Sequence, residues 1–309
     1  MFSSKSKAWS VFCAVVSLFI LSAGILKLTV FAQAVENVKA ADLRPRTTVV
    51  TKTVSASSKS FRAAATENAR LKNSLAWAFG SKTQTGWYLY EALIQHTLKI
   101  EDNAETPEFA LAVSGWQKQN GLAPTGILDK ETLMALVKYW QARRLNSSIY
   151  PSDDKMLTAP ISFFYDPTRS VELLKVQSEA FEAYKRMVAA AAADKSLKLK
   201  ISKNGEFAPE EKFLKIVSAF RSREYQAKLR AQSPQSGSAG LATNSPHFTG
   251  QALDIYVGGE PVTTKDFNRA VQVQTPVYKW LVKNAERFGF YPYYYEPWHW
   301  EYVPRNLNK

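Results

Sequence analysis

Residues 252–257 (ALDIYV) predict a β-strand, and an aspartate stands near its centre. Because side chains alternate across a strand, Leu253 and Ile255 would face one side and Asp254 the other. An aspartate buried in such a strand costs considerable free energy unless it is paired or bound to a metal ion. A glycine-containing turn before the strand could bring His247 back beside Asp254. The pattern therefore indicates either a structural pair or part of a metal site.

A second unusual context surrounds His299, one of only three histidines in the chain. Glu296 precedes it by three residues, and aromatic residues flank both. Two imidazoles and one carboxylate leave the fourth position of a tetrahedral zinc ion open for water. The ion would lower the pKa of that water and polarise a peptide carbonyl, while Glu296 could shuttle the proton. The third histidine, His96, falls in a predicted helix and is assigned no role.

Taken singly, these residues carry little weight. A lone histidine beside an aspartate is more often a hydrogen-bonded structural pair, and Glu296 alone could be a helix cap or an ion-pair partner. The chain has one cysteine, Cys13, so no disulfide can form within it and a metal site must use nitrogen and oxygen ligands. The hypothesis of a zinc site rests on the combination of these residues.

The N-terminus carries a long uncharged segment. Residues 8–26 contain no charged side chain and follow two lysines. The run is long enough to span a bilayer, and its basic flank predicts that the N-terminus stays in the cytoplasm while the remainder is exported. Residues 32–34 (AQA) resemble a signal-peptidase site. Residues 1–34 are therefore predicted to be either a transmembrane signal anchor or a cleaved signal peptide.

The chain is basic, with a formal net charge of +13. Residues 1–34 contain three lysines and no acidic residue, so the remainder keeps a charge of +10. A basic exported protein is attracted to anionic lipid, teichoic acid or the carboxylates of wall peptides, with solubility as the alternative reason for the charge. Export argues against nucleic acid as a partner. Residues 35–81, rich in small polar and basic residues, predict a flexible basic linker.

Residues 82–143 predict a small all-α domain of three helices. The first covers residues 87–98, the second begins at Pro107, and Asp129 caps the third. The segment resembles the three-helix peptidoglycan-binding module of cell-wall hydrolases in short motifs: GWQ at 115–117, NGL at 120–122, TGILD at 125–129 and TL at 132–133. This resemblance implies adhesion to peptidoglycan; a structural helical spacer is the alternative.

The remaining residues divide into a second linker, 144–159, and one α+β domain, 160–309. The predicted elements of this domain are a long helix over 171–193, strands over 213–220 and 252–257, a helix over 277–288 and a last strand over 291–303.

The α+β domain contains two motifs of a known family. The pattern S-x-H-x-x-G-x-A-x-D at residues 245–254 and the pattern E-x-W-H at 296–299 resemble the VanY-type D-alanyl-D-alanine carboxypeptidases, part of the lysostaphin-like and D-Ala-D-Ala metallopeptidase group. The resemblance implies a small antiparallel sheet flanked by helices and Zn2+ as the cofactor. It assigns the metal ligands to His247, Asp254 and His299 and the catalytic glutamate to Glu296.

A third motif, SAFRSREYQ at residues 218–226, resembles the family segment S-G-Y-R-S-x-x-x-Q, with Ala-Phe in place of the usual Gly-Tyr. The resemblance implies that Arg221 and Gln226 bind the substrate and that Ser245 donates a hydrogen bond near it. A guanidinium group suits the terminal carboxylate that defines a carboxypeptidase substrate. For Arg221, a surface salt bridge is the alternative.

Together these patterns predict a zinc-dependent D-alanyl-D-alanine carboxypeptidase that hydrolyses the terminal D-Ala of peptidoglycan stem peptides. An L,D-carboxypeptidase or an endopeptidase of the same fold is the alternative within the class, and a non-catalytic wall-binding protein is the alternative outside it. The expected partners are the stem peptides, the glycan and the cytoplasmic membrane, with the catalytic domain outside it in the periplasm or cell wall. The oligomeric state stays open.

Overall fold

The computed structural model describes residues 61–80, 82–232 and 245–304. Its helices are α1 Arg62–Ser74, α2 Glu91–Leu98, α3 Pro107–Gln119, α4 Lys130–Ala142, α5 Ser178–Ala193, α6 Arg223–Gln232, α7 Asp266–Gln274 and α8 Pro276–Asn284. Its strands are β1 Ala76–Phe79, β2 Lys82–Thr85, β3 Met156–Thr158, β4 Lys175–Gln177, β5 Ile216–Ser218, β6 Ala252–Ile255, β7 Phe290–Pro292 and β8 His299–Tyr302.

The predicted signal anchor or signal peptide over residues 1–34 lies outside the described ranges. Within those ranges, no helix combines the length and the apolar character that a membrane span requires.

The second and third helices of the helical module begin where the sequence predicts them. Thr106 Oγ1 accepts a hydrogen bond from Phe109 N at 3.1 Å, directly before Pro107, and Asp129 Oδ1 accepts one from Thr132 N at 2.8 Å. Each cap satisfies a backbone donor at a helix start and contributes about 1 kcal/mol. The predicted helical region is confirmed, but it is not all-α: residues 82–85 form β2, which pairs with β1, and α2 begins at Glu91 after a 3₁₀ turn over Tyr88–Tyr90.

The flexible linker predicted over residues 35–81 does not extend through residues 61–80, which fold into α1 and β1. The alanines of α1 pack closely on Ala110 of α3, and Asn68 bonds both Gly126 O, at 2.9 Å, and Leu128 N, at 2.7 Å. Alanine favours helix strongly, so a composition taken as a sign of flexibility here forms a helix once a partner surface is present.

The second predicted linker, residues 144–159, is also folded onto the domain that follows it. Its β3 pairs antiparallel with β4. The ring of Tyr150 lies 5.6 Å from that of Phe220 and 5.7 Å from that of Phe248, centroid to centroid. Aromatic side chains bury large areas, and this contact attaches the segment to the α+β domain.

The α+β domain is built on a small antiparallel sheet, as the family resemblance implied. The sheet has four strands in the order β5-β6-β8-β7. Several elements differ from the prediction. The strand predicted over 213–220 is confined to β5, because Leu214 before it has a left-handed φ of 65°. The long helix begins at Ser178, because residues 171–177 form a 3₁₀ turn and β4. The last segment forms two strands, β7 and β8, since Pro292 and Pro297 cannot donate to a continuous strand ladder.

The helical module packs directly onto the sheet domain. Two tyrosines that follow β7 form the contact. The ring centroid of Tyr294 lies 5.5 Å from that of Tyr90 and 6.1 Å from that of Trp140, both in the helical module. The ring centroid of Tyr295 lies 4.4 Å from that of Phe79 in β1. One continuous hydrophobic core therefore includes residues of both parts. The aromatic residues of the last segment serve mainly this core.

Candidate metal centre

Strand pairing brings Asp254 and His299 together. On β6, Asp254 lies directly opposite His299 of β8, and its other neighbour is Ser218 of β5. Side chains of directly paired residues on antiparallel strands point to the same face of the sheet. A separation of 45 residues in sequence therefore becomes 2.9 Å between His299 Nδ1 and Asp254 Oδ1.

A 3₁₀ turn, Pro246–Thr249, supplies His247 to the same point. Ser245 Oγ accepts a hydrogen bond from His247 N at 3.3 Å, and Gly250 ends the turn in the left-handed region at φ 68°. The chain then enters β6, so that His247 Nε2 lies 3.2 Å from Asp254 Oδ1. The predicted turn before the strand is present.

We expect Gly250→Ala to lower the free energy of unfolding by about 3 kcal/mol, from a left-handed backbone penalty of about 1–2 kcal/mol plus overpacking. An added Cβ would lie 2.9 Å from both Gln177 N and the Met156 side chain. Gly205 is the matched control, because it has φ 83° with nothing within 4 Å of an added Cβ. Urea unfolding of the metal-free protein measures both variants; equal losses would contradict a steric role for Gly250.

The donor atoms of His247, Asp254 and His299 fit a single divalent cation. They lie within 4.8 Å of one another, and all three side chains are buried. His247 Nδ1 lies 2.6 Å from Ala219 O, which can only accept, so this nitrogen carries the proton and Nε2 keeps its lone pair. His299 Nε2 lies 3.0 Å from the carboxylate of Glu301, which likewise directs the Nδ1 lone pair inward. This set of two nitrogens and one oxygen suits zinc.

The three donor residues differ in their ionisation in the metal-free protein. Burial, together with the Arg221 charge, lowers the pKa of His247 to about 4, so the ring is neutral. Burial alone would raise the pKa of Asp254, but His247 and Arg221 outweigh it and hold that pKa well below its usual range. Burial alone would also lower the pKa of His299, yet its hydrogen bonds to Asp254 and Glu301 raise it to about 9. In the metal-free protein, a proton on His299 therefore competes with a metal ion.

Zinc binding at pH 8 should release at least about one proton per chain, because His299, with a pKa of about 9, is mostly protonated until a metal takes its lone pair. The proton released by His299 should disappear as the pH rises above that pKa. Isothermal titration calorimetry in buffers of different ionisation enthalpy measures the number. Equal binding enthalpies in all buffers at pH 8 would contradict a protonated His299 that gives up its proton to a metal ion.

Glu296 lies beside the donor atoms, in the turn that joins β7 and β8. Its Oε2 is 4.0 Å from His299 Nδ1, and Glu296 N donates to Tyr293 O at 3.0 Å within the turn. Burial raises the pKa of Glu296 to about 7. A carboxyl group with a pKa near neutrality can both accept and return a proton, which is what a general base and acid requires.

Arg221, Gln226 and Ser245, the predicted substrate-binding residues, are all buried near the same point. Arg221 Nη2 pairs with Asp254 Oδ2, Nε donates to Ser218 Oγ at 2.9 Å, and Nη1 reaches Gln226 Oε1 at 3.5 Å. A surface salt bridge, the alternative for Arg221, is excluded by its burial. The binding of substrate by these three residues stays a prediction.

The sequence-based assignment did not include Glu301, which accepts a hydrogen bond from His299 Nε2, on the side of the ring opposite Nδ1. It lies two residues after His299 on β8, and strand alternation places both side chains on the same face of the sheet. Burial would raise the pKa of Glu301, but the hydrogen bond to His299 and the Arg144 charge lower it to about 2. The spacing His-x-Glu on a strand was the signal available in the sequence.

Among the clefts on the described surface, two of the larger ones lie near segments discussed above. One, of about 650 Å³, is lined by residues 141, 142 and 144–149 together with Pro246, the neighbour of His247 in sequence. Another of about 840 Å³ lies between α2 and α8 and is lined by His96, among others. None of the predicted catalytic, metal-binding or substrate-binding residues lines either of these clefts.

Comparison with known proteins matches both parts of the chain. Residues 173–305 match the family model of VanY, D-alanyl-D-alanine carboxypeptidase, and residues 96–136 match the model of a putative peptidoglycan binding domain. A solved structure titled "VanYB in complex with D-Alanine-D-Alanine" is 21% identical, with 43% of this chain and 74% of that chain covered and a TM-score of 0.26. No curated protein matches the chain. The family models confirm the resemblance to VanY-type carboxypeptidases.

Proposed function

We propose that this VanY-type chain is a zinc-dependent carboxypeptidase that removes the terminal D-Ala from peptidoglycan stem peptides. The observation that carries the proposal is the convergence of His247 Nε2, Asp254 Oδ1 and His299 Nδ1 beside Glu296. The match of residues 173–305 to a carboxypeptidase family supports the reaction class. The identity of the metal and of the substrate belongs to the proposal.

The three ligands of the proposed site hold the ion and leave room for water. Zinc in such a site supplies a Lewis acid that polarises a carbonyl oxygen and lowers the pKa of a bound water. Asp254 contributes the negative charge, while Arg221 on its second oxygen keeps that carboxylate oriented. His247 is neutral, and once His299 has given up its proton to make Nδ1 a ligand, neither imidazole adds positive charge beside the ion.

Glu296 performs the proton transfers. Its carboxylate accepts a proton from the attacking water as the oxygen bonds to the peptide carbonyl carbon. It then returns that proton to the nitrogen of D-Ala as the peptide bond breaks. The pKa of about 7 lets one side chain do both at neutral pH.

Arg221 and Gln226 bind the carboxylate of the terminal D-Ala in this proposal. The contact of Arg221 Nη1 with Gln226 Oε1, at 3.5 Å, is long for a hydrogen bond. A charge-assisted bond from a guanidinium group to a carboxylate is about twice as strong as a neutral one, so a substrate carboxylate would compete well for Nη1. This preference for a free carboxylate favours cleavage at the chain end.

The location of the protein is part of the same proposal. Residues 1–34 anchor the chain in the cytoplasmic membrane, or are cleaved after export, and the catalytic domain acts in the periplasm or cell wall. The match of residues 96–136 to a putative peptidoglycan binding domain supports contact with the wall. The net charge of the whole chain, +13, favours attraction to the carboxylates of wall peptides.

The test is to incubate residues 35–309 with purified muropeptides that carry pentapeptide stems, with and without a chelator, and to identify products by mass spectrometry. Loss of one terminal D-Ala, abolished by the chelator and restored by zinc, is the expected result. Shortened tetrapeptides would indicate an L,D-carboxypeptidase, and cut cross-links an endopeptidase. No product with any substrate would favour a non-catalytic wall-binding protein.

A further inference from the structure

The carboxylate of Glu301 is completely buried behind the ring of His299. It accepts a hydrogen bond from His299 Nε2, on the opposite side of the ring from the donor atom Nδ1. Burying a carboxylate costs several kcal/mol unless other groups compensate its charge and its hydrogen bonds. The groups that compensate Glu301 therefore determine how firmly His299 is held.

Those groups come from the segment that leaves the helical module. Arg144 Nη2 pairs with Glu301 Oε1, and Leu145 N donates to Glu301 Oε2 at 2.9 Å. Arg144 and Leu145 lie two and three residues after the end of α4 at Ala142, and together they bind both oxygens of the Glu301 carboxylate. The end of α4 is therefore connected to the proposed metal ligand His299 through the side chains of Arg144 and Glu301.

Arg144 is itself fixed in position. Its guanidinium carbon lies 4.0 Å from the ring centroid of Tyr293, and its Nη1 donates to Gln141 Oε1, in the last turn of α4, at 2.7 Å. Tyr293 lies in the turn that also carries Glu296. The planar guanidinium group can stack on a ring and bind a carboxylate at its edge at the same time.

We infer that Arg144 and Leu145 are positioning residues of the metal centre: they hold Glu301, and Glu301 fixes the ring of His299 with Nδ1 directed at the ion. The inference rests on the metal site of the proposed function. It gives the helical module a second role beyond adhesion, because the docking of α4 against the sheet domain sets the affinity for the metal. Groups that orient a metal-binding histidine in this way typically change metal affinity or activity about 10–100-fold.

The preceding residue provides a matched control. Arg143 pairs with Glu286, and its guanidinium carbon lies 5.2 Å from the Tyr139 ring and 4.9 Å from the Tyr291 ring. It also joins the helical module to the sheet domain. However, it has no contact with Glu301 or with a metal ligand among the described residues.

The test measures zinc affinity in residues 35–309 by competition with a chelating indicator, which needs no substrate. We expect Arg144→Ala to raise the Kd for zinc at least about 10-fold, and Arg143→Ala to change it less than about 2-fold. The visible absorption bands of the Co2+-substituted protein should shift in Arg144→Ala and stay unchanged in Arg143→Ala. A purely structural role in docking would affect both variants alike.

Arg144→Lys keeps the positive charge but loses the planar fork, so it should recover part of the lost affinity. If circular dichroism shows that Arg144→Ala does not fold, Arg144→Lys against Arg143→Lys decides the question. An equal Kd for zinc in each matched pair overturns the inference while the proposed function stands. If the unchanged protein binds no zinc, both are overturned.

Discussion

Replacing Glu296 with Gln is expected to lower kcat for D-Ala release by about 10³-fold, the size of a lost general base. The amide has nearly the same shape, but it cannot accept a proton from water. Glu296 lies beside the ligands and supplies none of the three donor atoms, so the Kd for zinc should stay within about threefold. Release of D-Ala from a synthetic pentapeptide and the zinc content of the purified protein measure the two effects.

Glu286→Gln is the matched control for this substitution. Glu286 pairs with Arg143 and lies on a 3₁₀ turn outside the site, so kcat should be unchanged. Retained turnover in Glu296→Gln, with zinc bound, would exclude Glu296 as the proton acceptor. Parallel loss of zinc and turnover would assign Glu296 to metal binding instead.

Removing one imidazole ligand should abolish metal binding and turnover together. We expect His247→Ala to raise the Kd for zinc on the order of 10³-fold, about a third of the apparent binding free energy of a zinc site. Turnover at micromolar zinc should fall in proportion to occupancy, and high zinc should restore part of it. Metal titrations followed by D-Ala release measure both.

His96→Ala provides the comparison, because His96 is the remaining histidine of the three and lines the cleft between α2 and α8. The His96→Ala variant should bind zinc with the same Kd as the unchanged protein. Zinc affinity that stays unchanged in His247→Ala, or falls equally in His96→Ala, would contradict the proposed ligand set. Urea unfolding without metal separates lost ligation from lost stability. Truncating a buried side chain leaves a cavity that lowers the free energy of unfolding by about 2–4 kcal/mol.

The metal centre could be predicted because its residues violate the ordinary rules for buried strands. Asp254 in an apolar strand needs a partner, and Gly250 predicts the turn that brings His247 beside it. The family resemblance implied an antiparallel sheet and a shared metal site, but the strand order that pairs Asp254 with His299 was not predicted. Strand boundaries and the split of the last segment at Pro292 and Pro297 were predicted less well.

The docking of the helical module could not be predicted. Residues 61–80 and 144–159 have compositions typical of linkers, and their structure depends on surfaces supplied by distant residues. Tyr150 packs on Phe220 and Phe248, and Arg144 reaches a carboxylate 157 positions later. A local pattern contains no information about such partners. For the same reason, the contribution of Glu301 to the site was not found.

Anomalous diffraction at the zinc edge from crystals grown with zinc tests the central claim most directly. One peak per chain is expected, at about 2.0–2.2 Å from His247 Nε2, Asp254 Oδ1 and His299 Nδ1. A zinc peak at another position, or no peak among these three atoms at saturating zinc, would contradict the account.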